Sequence, residues 1–324
     1  MRSSAWMLLA LACWVAPCFA EEPLHLSLQP EPESVYAPPA PPREDQGINE
    51  GAVHFDLTFR YMSDYMYRGL DRSNGDGLIL DPDKGTPLDP SAQSRDDFGH
   101  ENAPNIQVDT KLSFDTGKFP HPYLGAFVNV YDSDPISRFQ EVRPYIGLEW
   151  TLKPFVFEGG NQTYIYPERD DLNTSEIYGK ITFDDSFLFK TDHPILSPYF
   201  FGAYDYDLYN GWYFEFGVKH DFLIEDWGLT LTPCADIAYV LNHGEFRRVI
   251  DQDGIATYAS RNDTGFQHYD VGLTASYSIN KLLNFSTRYG SFNLEGYVFY
   301  TDGIDEDLAV ETQVWGGVGI AFKY

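Results

Sequence analysis

The chain has 324 residues, of which 43% are hydrophobic and 16% aromatic, and its formal net charge at pH 7 is −27. This charge argues against nucleic acid as a partner, because phosphate backbones are recognised by basic surfaces. With three cysteines in the whole chain, a dense disulfide framework is excluded as the source of stability.

Residues 1–20 have the features of a secretory signal peptide. Arg2 supplies the positive charge, an apolar core covers residues 5–15, and Cys18-Phe19-Ala20 form a small-x-small cleavage site. The apolar core is too short to cross a bilayer as a helix. Cleavage would leave Cys234 as the single cysteine, so the mature chain could form no intramolecular disulfide.

Residues 21–50 differ in composition from the rest of the chain. Closely spaced prolines alternate with acidic residues, which predicts an extended or disordered tail. A plain linker is the favoured interpretation, and a periplasmic spacer or a partner-binding segment is the alternative.

Residues 51–324 form a series of about 12 segments in which apolar and polar residues alternate with a period of two. Such alternation is typical of strands that have one apolar face. The predicted strands cover residues 53–66, 105–115, 123–131, 141–152, 155–166, 175–184, 199–208, 212–222, 227–241, 267–279, 284–300 and 314–324.

The last predicted strand has the strongest pattern. Its apolar face ends in Ile320, Phe322 and Tyr324, with no polar tail after them. A closed membrane barrel needs such a strand, because its last strand must pair with its first. We expect the barrel-assembly machinery to recognise this strand. The alternative is a buried strand of a soluble, aromatic-rich β-sandwich.

The connections between the predicted strands alternate in length. Long acidic connections, such as 68–104 and 242–265, fall on one side, and tight turns, such as 153–154, fall on the other. Outer-membrane barrels show this asymmetry. Two connections depart from it, since 185–198 is long for a turn and 209–210 is short for a loop. The fold prediction is an all-β, antiparallel, up-and-down transmembrane β-barrel of about 12 strands.

The polar faces of the predicted strands carry charges of both signs. Charged side chains in a membrane span are costly unless they face water or one another, so these residues are predicted to line the lumen. They are Asp56, Arg60, Asp109, Lys111, Arg143, Glu149, Glu158, Lys180, Glu215, Lys219, Asp236, Asp270 and Arg288. Either a water-filled passage or a bore closed by interlocking salt bridges fits this pattern, and we favour a narrow passage.

A short motif closes the first predicted strand. Its residues are Ser63, Asp64, Tyr65, Arg68 and Gly69. The motif resembles the opening Ser-Asp-Tyr-x-aromatic-Arg-Gly stretch of the TorF-like family of bacterial outer-membrane porins. This resemblance implies a porin-like role, although Asp71-Arg72 depart from the Ser-Gln that follows in that family. The simplest structural interpretation pairs Arg68 with Asp64 or a loop carboxylate and lets the chain turn at Gly69.

The sequence carries only weak patterns for catalysis or metal binding. The sequence contains neither G-x-S-x-G nor H-E-x-x-H, and no pair of its eight histidines has metal-ligand spacing. His220 lacks an obvious catalytic partner, the acidic stretch 71–83 lacks a complete EF-hand pattern, and Cys234 shows no sign of reactivity. We therefore expect no enzymatic activity, cofactor or metal.

The functional prediction is a porin in the outer membrane of a Gram-negative-type bacterium, with membrane lipid and small polar solutes or ions as partners. The main alternative is a closed barrel that acts as a surface adhesin or structural anchor through its long acidic loops. A lipid-modifying barrel enzyme is the weaker alternative.

Overall fold

The computed structural model describes residues 52–71, 104–131, 140–167, 173–243, 246–250, 256–260, 263–305 and 312–324. The signal peptide and the proline-rich tail predicted for residues 1–50 lie outside the described residues, as does most of the first long loop. Across the described parts of the chain, no helix combines the length and apolar character needed to cross a membrane.

Twelve antiparallel strands form one closed barrel, which confirms the predicted fold class. In chain order they are β1 (Val53–Met62), β2 (Asn105–Phe114), β3 (His121–Tyr131), β4 (Glu141–Leu152), β5 (Phe155–Tyr164), β6 (Thr174–Phe183), β7 (Tyr199–Asp205), β8 (Trp212–Lys219), β9 (Leu229–His243), β10 (Asp263–Ser278), β11 (Ser291–Gly303) and β12 (Gln313–Lys323). Each strand pairs with its neighbours in sequence.

The barrel closes because β12 pairs with β1 along its length. Asp56 lies opposite Lys323, and Met62 lies opposite Gly317. Beyond this ladder, Tyr324 and Phe55 exchange backbone hydrogen bonds of 2.8 and 2.9 Å. Closure satisfies the polar backbone groups that an edge strand would leave unpaired.

The barrel has two different ends. At the terminal end, where β1 begins and β12 ends, the connections are 115–120, 153–154, 184–198, 220–228 and 279–290. The loop end carries the other connections, including the start of the first long loop. The two connections whose lengths depart from the predicted alternation do not change the number of strands. The connection 184–198 contains a short helix, Ser186–Phe189, and the connection 206–211 is a compact turn.

Several strand boundaries differ from the prediction. The segment predicted as 284–300 begins only at Ser291, because residues before it form a short helix, Ile279–Leu282, and a 3-10 turn, Thr287–Tyr289. Ser278 caps the helix by accepting a hydrogen bond from the Lys281 backbone N–H. The first predicted strand, 53–66, ends at Met62.

The outward face of the barrel carries exposed aliphatic side chains at mid-height. Ile146 is 62% exposed and Val318 is 57% exposed, although both lie in the middle of long strands. Aromatic pairs lie near the two ends of the strands. At the loop end the rings of Tyr204 and Trp212 are 4.8 Å apart, and at the terminal end those of Phe292 and Phe322 are 4.6 Å apart. This distribution is the one expected of a membrane-facing surface with aromatic girdles.

Tyrosine rings on the inner wall cover glycines of neighbouring strands. A Cβ atom at Gly147 would lie 2.3 Å from the Tyr123 hydroxyl, and one at Gly217 would lie 2.4 Å from the Tyr199 ring. The pairs Tyr145 with Gly125 and Tyr178 with Gly160 have the same geometry. The glycines therefore create the space in which the rings lie against the wall.

We expect Gly217→Ala to lower the free energy of unfolding by about 1–3 kcal/mol, because the added methyl group must displace the Tyr199 ring. Gly296→Ala is the matched control, since a Cβ there meets nothing within 4 Å. Urea unfolding of both refolded variants measures the difference. Equal stability of the two variants would show that the ring is free to move away from Gly217.

Candidate functional site

The barrel interior is the candidate site, because it collects most of the predicted charged residues. Twelve of the thirteen predicted lumen residues lie on barrel strands at inward positions. Most of them are nearly inaccessible to solvent: Asp109, Lys111, Arg143, Glu149, Lys180, Glu215, Lys219, Asp236 and Asp270. Asp56, Arg60 and Glu158 are half-buried.

Arg288 departs from the predicted position. It lies in the 3-10 turn Thr287–Tyr289, outside the barrel strands, and it is exposed. The sequence predicts a strand through this turn, because Phe285 and Tyr289 fall on one phase of the pattern and Ser286 and Arg288 on the other. The Arg288 backbone N–H instead donates to the Ser286 hydroxyl, which caps the turn.

Directly after β1, the start of the first loop turns into the interior of the barrel. Residues 63–71, named here the internal hairpin, contain two short paired strands, Met66–Tyr67 and Leu70–Asp71. Arg68 and Gly69 form the turn between them, with φ values of 52° and 73°. Two positive φ angles are what a tight type I′ hairpin turn requires. The sequence motif that ends the first strand is therefore an inserted hairpin.

Arg68 anchors the tip of the internal hairpin to the opposite wall. Its guanidinium donates two hydrogen bonds to the Glu176 carboxylate on β6, at 2.7 and 2.9 Å. It also lies 4.3 Å from the centroid of the Tyr213 ring on β8. Among the described residues, the carboxylate that Arg68 binds thus belongs to the wall, 108 positions away, whereas the predicted loop carboxylates lie outside the described residues. Bidentate pairing of this kind is strong and directional.

The stem of the hairpin is held by a second buried charge network. The Tyr65 hydroxyl donates to Glu141 at 3.1 Å and accepts from Arg143 at 2.7 Å. Arg143 also donates to Glu141 and stacks over the rings of Tyr67 and Tyr164. Its side chain is fully buried. Burying such a network costs less free energy than burying isolated charges, because each charge has a partner.

The other side of the hairpin packs against apolar residues. Met62, Met66, Cys234, Phe299 and Trp315 form one buried cluster that joins the hairpin to β9, β11 and β12. The hairpin thus contacts both sides of the barrel, and its residues Tyr65, Met66, Tyr67 and Arg68 are at most 3% exposed. At the level of the hairpin, buried side chains of the hairpin and of the wall occupy the bore.

The terminal end of the interior is more open. Inward residues of β9 to β12 and of β1 are only partly buried there, and they are mainly hydroxyl-bearing or charged. They are Asp56, Thr230, Thr232, Thr274, Ser276, Asn293, Glu295 and Lys323. Together they form a polar vestibule below the internal hairpin.

His220 and Cys234, which the sequence singled out, lie away from any catalytic arrangement in the described residues. The His220 Nδ1 atom is 2.6 Å from the Ile195 carbonyl oxygen, and its ring packs against Phe222. The neighbouring Asp221 accepts a hydrogen bond from Thr232. Cys234 is a buried thiol within the apolar cluster.

Comparison with known proteins gave similarities in structure alone. No protein-family model and no curated protein matches the sequence. Among solved structures, the NanC porin is 10% identical over 83% of this chain and 100% of its own, with a TM-score of 0.44. The KdgM porin is 10% identical over 83% and 99%, with a TM-score of 0.42. The COG4313 outer membrane channel from Pseudomonas putida F1 is 10% identical over 84% and 96%, also at 0.42.

Proposed function

We propose that the chain is an outer-membrane channel for small polar solutes or ions, and that the internal hairpin limits its bore. The observation that carries the proposal is the segregation of the two barrel faces. Apolar side chains with aromatic girdles face outward, while charges of both signs face inward. A barrel of about 12 strands is wider than one that wall side chains alone fill. The polar vestibule supports entry of hydrated solutes from the terminal end.

The proposal places the protein in the outer membrane of a Gram-negative-type bacterium after removal of a signal peptide, with the C-terminal strand as the signal for barrel assembly. The TorF-like resemblance of residues 63–69 is consistent with this role. The twelve inward residues named above form the proposed lining, together with Arg68 and Glu176.

Planar-bilayer recording of refolded residues 21–324 tests the proposal. We expect small, discrete conductance steps from inserted protein, because the internal hairpin leaves little free cross-section. Silence of protein that is inserted and heat-modifiable on a gel, also after the internal hairpin has been removed, would contradict a channel.

The conducting state should prefer cations. Among the twelve inward residues, seven are carboxylates and five are lysine or arginine, so the wall attracts cations on balance. We expect Glu149→Gln to shift the reversal potential in a salt gradient toward lower cation preference and Lys111→Met to shift it the other way. Asp302→Asn is the control, because Asp302 lies on the outward face, bonded to Tyr269. Identical shifts in all three variants would exclude a role of the inner wall in selectivity.

The filled bore favours one second candidate function. A barrel sealed by the Arg68–Glu176 and Tyr65–Arg143 contacts could serve as a rigid anchor for its long acidic loops at the loop end. Planar-bilayer recording distinguishes the two functions, because a sealed anchor shows no conductance. The anchor would instead bind a surface through residues 72–103 or 244–262. Loss of surface binding on exchange of these loops would support the anchor.

A further inference from the structure

Two carboxylates face each other across neighbouring strands deep inside the barrel. Asp236 on β9 lies directly opposite Asp270 on β10 in the strand register. Their side chains are on the inward face and are 4% and 0% exposed. Like charges directly opposite in an antiparallel pair are destabilising, and burial increases their repulsion. A bound cation would remove this repulsion.

A buried imidazole completes the group. His268 lies two residues before Asp270 on the same strand face, with its Nε2 atom 3.3 Å from a carboxylate oxygen of Asp270. Its side chain is fully buried, and apart from this contact with Asp270 neither ring nitrogen has a hydrogen-bond partner within the described part of the chain. Native structures rarely leave a buried imidazole in this state, so the nitrogens point to an absent ligand.

The three side chains are already close enough to share one ion. One donor atom from each of Asp236, His268 and Asp270 lies within 4.8 Å of the others. The remaining oxygen of Asp270 accepts from Thr301, whose hydroxyl oxygen accepts from the Trp315 indole at 3.0 Å. Such outer contacts orient a ligating carboxylate and are typical of built metal sites.

The imidazole is also held in place by packing. A Cβ at Gly69 would lie 2.6 Å from the His268 ring, so the turn of the internal hairpin lies directly against it. On another side, the Tyr213 ring is 6.3 Å away and nearly parallel. A ring fixed in this way loses little freedom when it binds an ion, which favours a preorganised site.

We propose that Asp236, His268 and Asp270 bind one divalent transition-metal ion, of which Zn²⁺ is the best example. One nitrogen and two carboxylate oxygens suit zinc, whereas Ca²⁺ and Mg²⁺ prefer oxygen ligands alone. Two carboxylates balance the charge of the ion, and water completes the coordination. The site lies within the wall and beside the internal hairpin, so its existence does not depend on whether the barrel conducts.

Metal titration of refolded residues 21–324 tests the proposal. Protein stripped with EDTA is titrated with Zn²⁺ near neutral pH in competition with a chromophoric chelator, and Co²⁺ absorption reports the coordination. We expect one Zn²⁺ per chain. Asp236→Asn, Asp270→Asn and His268→Gln should each weaken binding at least about 10-fold, since even loss of an outer contact weakens metal binding by that factor.

The pair of half-buried His121 and exposed Asp115, 3.4 Å apart, provides the matched control. His121→Gln and Asp115→Asn should leave the affinity unchanged. Heat-modifiability on a gel identifies variants that fail to fold, and the near-isosteric Asp→Asn changes keep the test valid if His268→Gln misfolds. Absence of stoichiometric Zn²⁺ binding would overturn the proposal. Binding that survives all three site variants would overturn it as well.

Discussion

Arg68→Met is expected to lower the free energy of unfolding by about 3–5 kcal/mol, because it leaves the Glu176 carboxylate buried without its cation. The two side chains are 4% and 3% exposed, so water cannot replace the lost guanidinium. The Gln162 amide and the Tyr164 hydroxyl still donate to Glu176, each at 2.9 Å, but they are neutral. Urea unfolding of the refolded barrel, followed by tryptophan fluorescence, gives the difference.

A second substitution separates the ion pair from the loss of packing. Glu176→Gln keeps an acceptor for Tyr164 but removes the charge, so the double variant Arg68→Met/Glu176→Gln should recover most of the lost stability. Lys281→Met is the surface control, because Lys281 is exposed and bonds a backbone carbonyl. A double variant that is no more stable than Arg68→Met would show that the two charges are energetically independent.

Removal of the internal hairpin is expected to raise the conductance severalfold. In this variant a short Gly-Ser linker replaces residues 64–70. The side chains lost include Tyr65, Tyr67 and Arg68, which fill the bore between β4, β6 and β8. The strands should still close, since the β1–β12 ladder does not involve the hairpin. Single-channel recording compares the variant with the parent chain.

A linker of the same composition in place of residues 190–192 is the control for this experiment. These residues are exposed in the connection between β6 and β7, at the terminal end. The control should insert and conduct like the parent. Unchanged conductance of the hairpin variant would mean that wall side chains, such as those of Phe127 and Phe201, close the bore without the hairpin.

The barrel itself could be predicted because its signal is repeated in most strands. Most strands place apolar residues outward and polar residues inward, so alternation gives the strand number and the facing of residues such as Asp109 and Glu215. The errors lie where alternation continues by chance into another structure, as at Arg288, whose turn has the same pattern as a strand.

The filling of the bore could not be predicted, because it depends on contacts between distant parts of the chain. Nothing near Arg68 in the sequence marks Glu176 as its partner. The Arg68-Gly69 pair is a local signal for a tight turn, but it does not say whether that turn points outward or into the barrel. The proposed His268 site has no local sequence signal, because its ligands are one histidine and two carboxylates that come from two strands.

The internal hairpin also has a consequence for the order of assembly. Except for those of β1, the wall residues that the hairpin contacts are synthesised after it. Its partners Glu141 and Glu176 follow Tyr65 and Arg68 by 76 and 108 positions. Contacts of such high sequence separation form late, since loop-closure entropy opposes them until the intervening strands are in place. The nascent barrel must therefore keep its aromatic hairpin unburied until at least β8 has joined the sheet. Filling of the interior and sealing of the β1–β12 seam should be the last, concerted events of folding.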